Sequence, residues 1–454
     1  MKNSIIIGAL AAVALSSCNV YRSYKPVEEV PDNLYRMEIA DTDTASIASL
    51  DWMELFTDPY LQSLISEALE NNTDMKTAQL KVESARASLT SARLAFLPSI
   101  NLAPQGTISS FDGSKAAKSY NIAAAASWEI DIFGKLRNAS KSAAMAYMQS
   151  EEYKQAVRTG LISGMANCYY TLLLLDEQLT ISENTLVLWA ENVKTMKAMK
   201  NAGMTNEAGV AQMEASYYAT EASVLTLKSQ IVEMENAISN MLGKVPGPIS
   251  RGKLEGQSFP EELSVGVPVD LLHDRPDVRM AEYGVAQAFY GVNIARGNFY
   301  PSLTLSGTAG WTNSGSGMII NPGALLLQAV GSVTQPIFNR GALIANLKIS
   351  KNQYETAALE FQQTVLEAGS EVNNALTQWQ TARGRLVLSA KQVESLSTAL
   401  KSTQLLMRHS STTYLEVLTA QQSLLQAQLS NSADKCDEIQ AVISLYQALG
   451  GGRK

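Results

Sequence analysis

The chain has 454 residues, 46% of them hydrophobic and 17% charged, with a formal net charge of −7. That acidic balance, with no basic cluster anywhere, excludes nucleic acid as a partner. Three cysteines over such a length exclude a disulfide framework, and the length exceeds one ordinary domain.

Residues 1–17 read as a secretion signal. Lys2 supplies a basic start, Ile5–Leu15 an apolar run of 11 residues, and Ser16-Ser17 the small residues before a cleavage point. The run is too short to span a bilayer, which takes roughly 20 apolar residues. Leu15-Ser16-Ser17-Cys18 resembles a bacterial lipobox, which makes Cys18 a lipid-attachment site and residues 18–59 a lipidated extension. A plain signal peptide beside a chance cysteine is the alternative. Cys168 and Cys436 lie in helical apolar stripes and read as small core residues.

The remainder is duplicated. Leu97-Pro98-Ser99-Ile100 recurs as Tyr300-Pro301-Ser302-Leu303, Ile132-Phe133-Gly134-Lys135 as Ile337-Phe338-Asn339-Arg340, and Met199-Lys200 as Met407-Arg408. The offset drifts only from 203 to 208 residues, far beyond the period of a solenoid. The two repeats, 60–256 and 257–454, each carry a helical stretch, two strand-length runs and two long helices.

In the first repeat, strands are expected over about 98–110 and 119–132, and helices over about 135–200 and 206–243. The strand at 119–132 alternates Tyr120, Ile122, Ala124, Ala126, Trp128 and Ile130 against Asn121, Ser127 and Glu129. The helix after it holds no proline and would be near 100 Å long. Leu161, Met165, Cys168, Leu172, Leu175, Leu179, Leu186, Trp189, Val193 and Met196 recur along it in steps of three and four, with Ser182 in the one gap.

In the second repeat the strands are expected over about 301–313 and 324–337, and the helices over about 341–408 and 413–449. Leu303, Leu305, Gly307, Ala309 and Trp311 alternate with Ser302, Thr304, Ser306, Thr308 and Gly310, whereas 325–337 shows only traces of the period of two. Ala358, Val365, Val372, Trp379, Leu386, Val393, Leu400 and Met407 fall at every seventh position, beside a small-residue stripe at Phe361, Ala368, Ala375, Ala382 and Leu396. Such a repeat imposes left-handed supercoiling on paired helices.

The helices alone fit a solvated coiled-coil spacer, and the hairpins alone fit two half-buried ribbons on a domain core. Together they point to a membrane. Each strand is about ten residues, the length a tilted strand needs to cross a bilayer. Phe111, Tyr120 and Trp311 gather toward the hairpin loops, with Phe96, Trp128, Phe133, Phe299, Tyr300 and Phe338 toward the helices, as two aromatic girdles. Four strands cannot close a barrel and open edges are forbidden in lipid, so the wall must be shared between chains. Three copies would give twelve strands and twelve helical rods.

The run Leu271-Leu272-His273-Asp274-Arg275-Pro276-Asp277-Val278-Arg279, with Ala281-Glu282, Ile294-Ala295-Arg296 and Phe299–Leu303, closely resembles the central signature of TolC-like outer-membrane factors, above all their lipoprotein branch, which includes OprM and NodT. Trp128–Gly134 resembles the strand-to-helix signature of the first repeat. The resemblance implies a mainly α fold with a membrane β-barrel: a homotrimer whose 12-strand β-barrel stands on a 12-helix α-barrel. It further implies the exit duct of a tripartite efflux pump or a type I secretion system. The partners would be a periplasmic membrane-fusion adaptor, an inner-membrane transporter, of the resistance-nodulation-division type for efflux, and outer-membrane lipid.

The resemblance sets the adaptor-contacting tips at Ala202, Gly203 and Met204 and at Ser410 and Ser411. It sets the gate near Met407, Thr412, Glu416 and Thr419, with the lumenal acidic role on Glu416. Thr419 departs from a second carboxylate, Thr412 stands where some members have a latch arginine, and Gly209 where an acidic partner can occur.

A non-channel periplasmic tether remains an alternative, but it has no use for the strands. Enzyme chemistry is not expected. His273 and His409 are the only histidines, neither has a neighbour at metal-ligand spacing, and no catalytic, metal or cofactor motif occurs.

Overall fold

The computed structural model describes residues 23–25, 50–257, 259, 275–313, 323–409 and 413–453. Helices α1 (Trp52–Leu55), α2 (Pro59–Asn71) and α3 (Thr73–Leu94) precede strands β1 (Ser99–Leu102), β2 (Gln105–Ser109) and β3 (Ala117–Ile130), then helices α4 (Lys135–Asn201) and α5 (Glu207–Met241). The second repeat follows the same order with α6 (Pro276–Gly297), β4 (Ser302–Thr312), β5 (Ala324–Thr334), α7 (Ala342–Arg408) and α8 (Tyr414–Ala448).

Both long helices run 67 residues, and both return helices 35. Length without proline permits such rods, and buried stripes hold them in place. On α7 the seven-residue seam buries Val365, Val372, Trp379 and Leu400, while Phe361, Ala368, Ala375 and Ala382 bury the small-residue stripe beside it. Ser182 is 1% exposed, so the gap in the α4 stripe is a packed position rather than a break.

Side chains mark the helix starts. Asp58 caps α2 through Tyr60 N–H, with Pro59 at the first helical position. The Asp131 carboxylate accepts from Leu136 and Arg137 N–H at the head of α4. Asn72 caps α3, accepting from Asp74 N–H at 2.8 Å, while its amide donates to the Met241 carbonyl at the end of α5.

Contacts divide the chain into two compact units, each drawing on both repeats. One comprises residues 1–30, 80–152 and 279–363 and contains the sheet. Within it Asn293 donates to Asn138, Gln149 donates to the Met280 carbonyl, and Tyr24 packs on Phe289 with ring centroids 5.5 Å apart. The other comprises 31–79, 153–278 and 364–454. There Arg275, from the central signature, is buried, bidentate to Asp277, paired with Glu371 and donating to the Ala448 carbonyl. Arg251 pairs with Asp176 and Glu235, tying the segment beyond α5 back to α4 and α5.

The sheet is antiparallel throughout, with β1 and β2 both on β3, then β4 and β5. One correction concerns 98–110, expected as a single strand. It is two strands in one unbroken register, interrupted where Pro104 has no N–H to offer, although Ala103 still donates to the Ala123 carbonyl. The β3–β4 pairing joins the two repeats, Ile130 facing Leu303 and Asn121 facing Thr312. No described helix is long and apolar enough to cross a membrane.

Candidate functional site

Directly opposed residues in an antiparallel pair share a face, so the register sorts every side chain of the sheet. One face carries Ile100, Leu102, Ile108, Ile122, Trp128, Leu303, Leu305, Trp311, Leu325, Leu327 and Val333. All of these except Leu303 are exposed, Ile100 and Ile108 at 73%. The opposite face holds Ser99, Asn101, Gln105, Thr107, Asn121, Ser127, Glu129, Thr304, Ser306, Thr308, Gln328 and Ser332. A water-soluble sheet would bury the first face; a lipid-facing sheet presents it. The register also explains β5, whose weak alternation comes from Leu326 and Val330 standing on the polar face.

At the helix end of the sheet, Phe133 stacks on Tyr300 at 5.1 Å and 22°. The Trp128 indole donates to the Phe96 carbonyl and Gln335 donates to the carbonyl of its counterpart Phe299, both at 2.8 Å.

The helix tips form the second element of the site. Gly203 turns the α4–α5 connection at φ 74°, its N–H bonding the Lys200 carbonyl and Met204 N–H the Met199 carbonyl. Ala202, Gly203 and Met204 are all exposed. Asn206 caps α5 through Gly209 N–H at 3.0 Å. Lys200–Glu207 and Lys197–Glu214 brace the hairpin, and the hydrogen bond to Glu214 raises the pKa of the Lys197 ammonium.

Behind the turn, Trp189, Met196, Val210, Met213 and Leu418 pack into a core edged by Val193, Met199, Tyr217 and Tyr414. Polar bonds supplement it: Asn192 donates to Gln421 and Gln422 to the Ser216 hydroxyl. Glu416 is exposed in the first turn of α8, Thr419 is exposed with its hydroxyl on the Leu415 carbonyl, and Met407 is half-buried near the end of α7. Ser410, Ser411, Thr412 and Cys18 lie outside the described residues. So does His273.

Sequence reasoning did not single out Tyr414. The structure seats its ring against Gly209, with no room for a side chain at the glycine. A tyrosine opening a return helix was the visible signal; the resemblance had marked its partner Gly209, but as a latch position and not as the seat of a ring.

A sheet with one exposed apolar face, built from duplicated halves with paired rods of 67 and 35 residues, defines an outer-membrane duct protein. A family model described as outer membrane efflux protein matches residues 64–244 and 267–451, and the chain belongs to that family. The cation efflux system protein CusC of Escherichia coli K12 is 28% identical over 452 residues, covering 97% of this chain and 98% of the relative. The solvent efflux pump outer membrane protein SrpC of Pseudomonas putida is 28% identical over 88% of the chain and 87% of its own length. The probable outer membrane lipoprotein SilC of Salmonella typhimurium is 28% identical over 88% of each. A crystal structure of CusC superposes with a TM-score of 0.87 at 26% identity, over 96% of this chain and all of that one. The open-state MtrE channel of Neisseria gonorrhoeae gives 0.86 at 28% identity, over 96% and 98%. The protein is an outer-membrane efflux channel component of the duplicated α/β-barrel kind.

Proposed function

We propose that three copies assemble into a twelve-stranded barrel over twelve helical rods and act as the passive exit duct of a tripartite efflux pump, carrying small molecules outward. The observation that carries this reading is the sheet: a continuous apolar face for lipid, a polar face for a lumen, and two open edges that a bilayer does not tolerate. An adaptor would meet Ala202, Gly203, Met204, Ser410 and Ser411, with Met407, Thr412, Glu416 and Thr419 at the constriction. An inner-membrane transporter of the resistance-nodulation-division type would supply the energy. Relatives named for cation and solvent efflux favour small-molecule export over protein secretion.

Mass measurement of the detergent-solubilised protein tests the assembly, with three chains expected, and planar-bilayer recording tests conduction. A monomer that conducts through a complete barrel would overturn the shared wall. Lipid attachment at Cys18 is tested by mass spectrometry of the mature N-terminus; Cys18→Ser should leave an unprocessed precursor.

A further inference from the structure

The five strands carry only two charged residues between them, Lys118 and Glu129. The register puts them on opposite faces and near opposite ends of β3. Lys118 faces Ile108 on the apolar face, toward the hairpin loop; Glu129 faces Thr304 on the polar face, next to the helices. The rest of the polar face is hydroxyls, amides and small or apolar side chains. Among the described residues Glu129 is therefore its one ionisable group.

That carboxylate is not left bare. The Lys135 ammonium donates to it at 3.3 Å, and the two side chains are 41% and 37% exposed. Lys135 is the first residue of α4, where a cation is out of place, because a helix presents the positive end of its dipole there and favours anions. The start of α4 has no need of it: the Asp131 carboxylate already accepts from Leu136 and Arg137 N–H. Arg137 stands about 200° further round the helix and belongs to another face. Meeting Glu129 is what offsets the misplaced charge of Lys135. The pair is not duplicated, since Thr334 stands 205 residues on, where the second repeat would place its Glu129.

An exposed ion pair contributes little to stability. Its effect on the surrounding field is larger. Opposite charges 3.3 Å apart act at a distance as a short dipole, whereas a single charge is felt out to about a Debye length, roughly 10 Å at 0.1 M salt. Twelve strands tilted by ~40° enclose a backbone cylinder of about 12 Å radius. A bare charge on that wall reaches most of the cross-section, and a paired one does not.

We infer that Glu129 and Lys135 set the charge preference of the membrane section. Lys135 masks three carboxylates that would otherwise ring the helix end of the barrel, so that anionic and cationic solutes pass it alike. This rests on the reading of the polar face as a lumen and adds to it the residues that decide which sign of solute the barrel favours.

Ser127→Cys supplies a local probe. Ser127 is exposed, on the face of Glu129 and two residues back along β3, about 7 Å away. In the full-length assembled protein, a cationic or an anionic methanethiosulfonate is added from the loop side of the barrel. Loss of conductance in planar bilayers gives each rate, with the chain lacking Ser127→Cys as the blank. The ratio of the two rates reads the local potential. Lys135→Met should raise the cation-to-anion ratio about threefold at ~0.1 M salt, and Glu129→Gln should lower it about threefold. The double variant and Lys135→Arg should both keep the parent ratio. Both side chains are part-exposed, so neither substitution empties a core. A ratio that neither single variant moves overturns the pair and leaves the duct standing. A ratio moved by Glu129→Gln but not by Lys135→Met overturns the mask. A cysteine whose modification leaves conductance unchanged puts Ser127 outside the lumen and removes the reading of the faces itself.

Discussion

Tyr414 occupies the space a side chain would need at Gly209: a Cβ built there would sit 2.7 Å from the tyrosine hydroxyl oxygen and 2.8 Å from the ring carbon bearing it. The contact joins the first turn of α5 to the first turn of α8, where the hydrophobic cluster around Trp189 and Leu418 ends.

Gly209→Ala must therefore displace the tyrosine ring. Overpacking of this kind costs about 1–3 kcal/mol. The tip contact between α5 and α8 should loosen, raising conductance in planar bilayers. Combining Gly209→Ala with Tyr414→Ala should be less disruptive than the two separate effects added together, because the clash disappears with the ring. Strict additivity would show that the two residues do not constrain each other.

Three copies of Glu416 around a narrow tip would form an acidic ring that favours cations and binds multivalent cationic blockers. Glu416→Gln should weaken cation selectivity and block in bilayer recordings and leave the assembly intact. Unchanged selectivity would make Glu416 an ordinary solvated carboxylate.

Leu305 stands on the apolar face between Trp128 and Gly331, and Thr304 on the polar one. Leu305→Arg should cost about 2–4 kcal/mol per chain, read as lower yield of folded protein in the outer membrane. Thr304→Asn should fold normally. Equal tolerance at both positions would reverse the assignment of faces.

Alkaline stability should report on Tyr446. Burial pushes its phenol from 10.0 up to about 12, and its hydroxyl donates to the Leu50 carbonyl. The folded state thus keeps a proton that the unfolded chain loses, so stability is complete below pH 10 and falls as pH rises from 10 toward 12. The slope is roughly 1.4 kcal/mol per pH unit for each such group. Burial also raises the Tyr169 and Tyr170 phenols, so they add to the loss. Tyr446→Phe should flatten the decline in a pH series of thermal melts.

The rods were legible because a seven-residue repeat held over eight positions leaves little choice of conformation. The β4 strand was legible for the same reason at a period of two. Strand β5 was placed at about 324–337 and lies at Ala324–Thr334, but its alternation was faint, because Leu326 and Val330 put apolar side chains on the polar face. The break in the first strand turned on Pro104 alone. At the tips, the glycine turn at Gly203 could be read locally. The seat of Tyr414 could not: the two residues are 205 positions apart, and a glycine contributes no pattern to find.

The alanines at 368, 375 and 382 on α7, all buried, carry a further consequence. A helix can lie only as near its neighbour as the side chains between them permit, and alanine sets that distance close to its minimum. In a ring of twelve rods, each interhelical spacing is one segment of the circumference. The methyl groups of one stripe therefore act as a gauge on the calibre of the tube, so that its width is written in the smallest side chains rather than in the residues that line it.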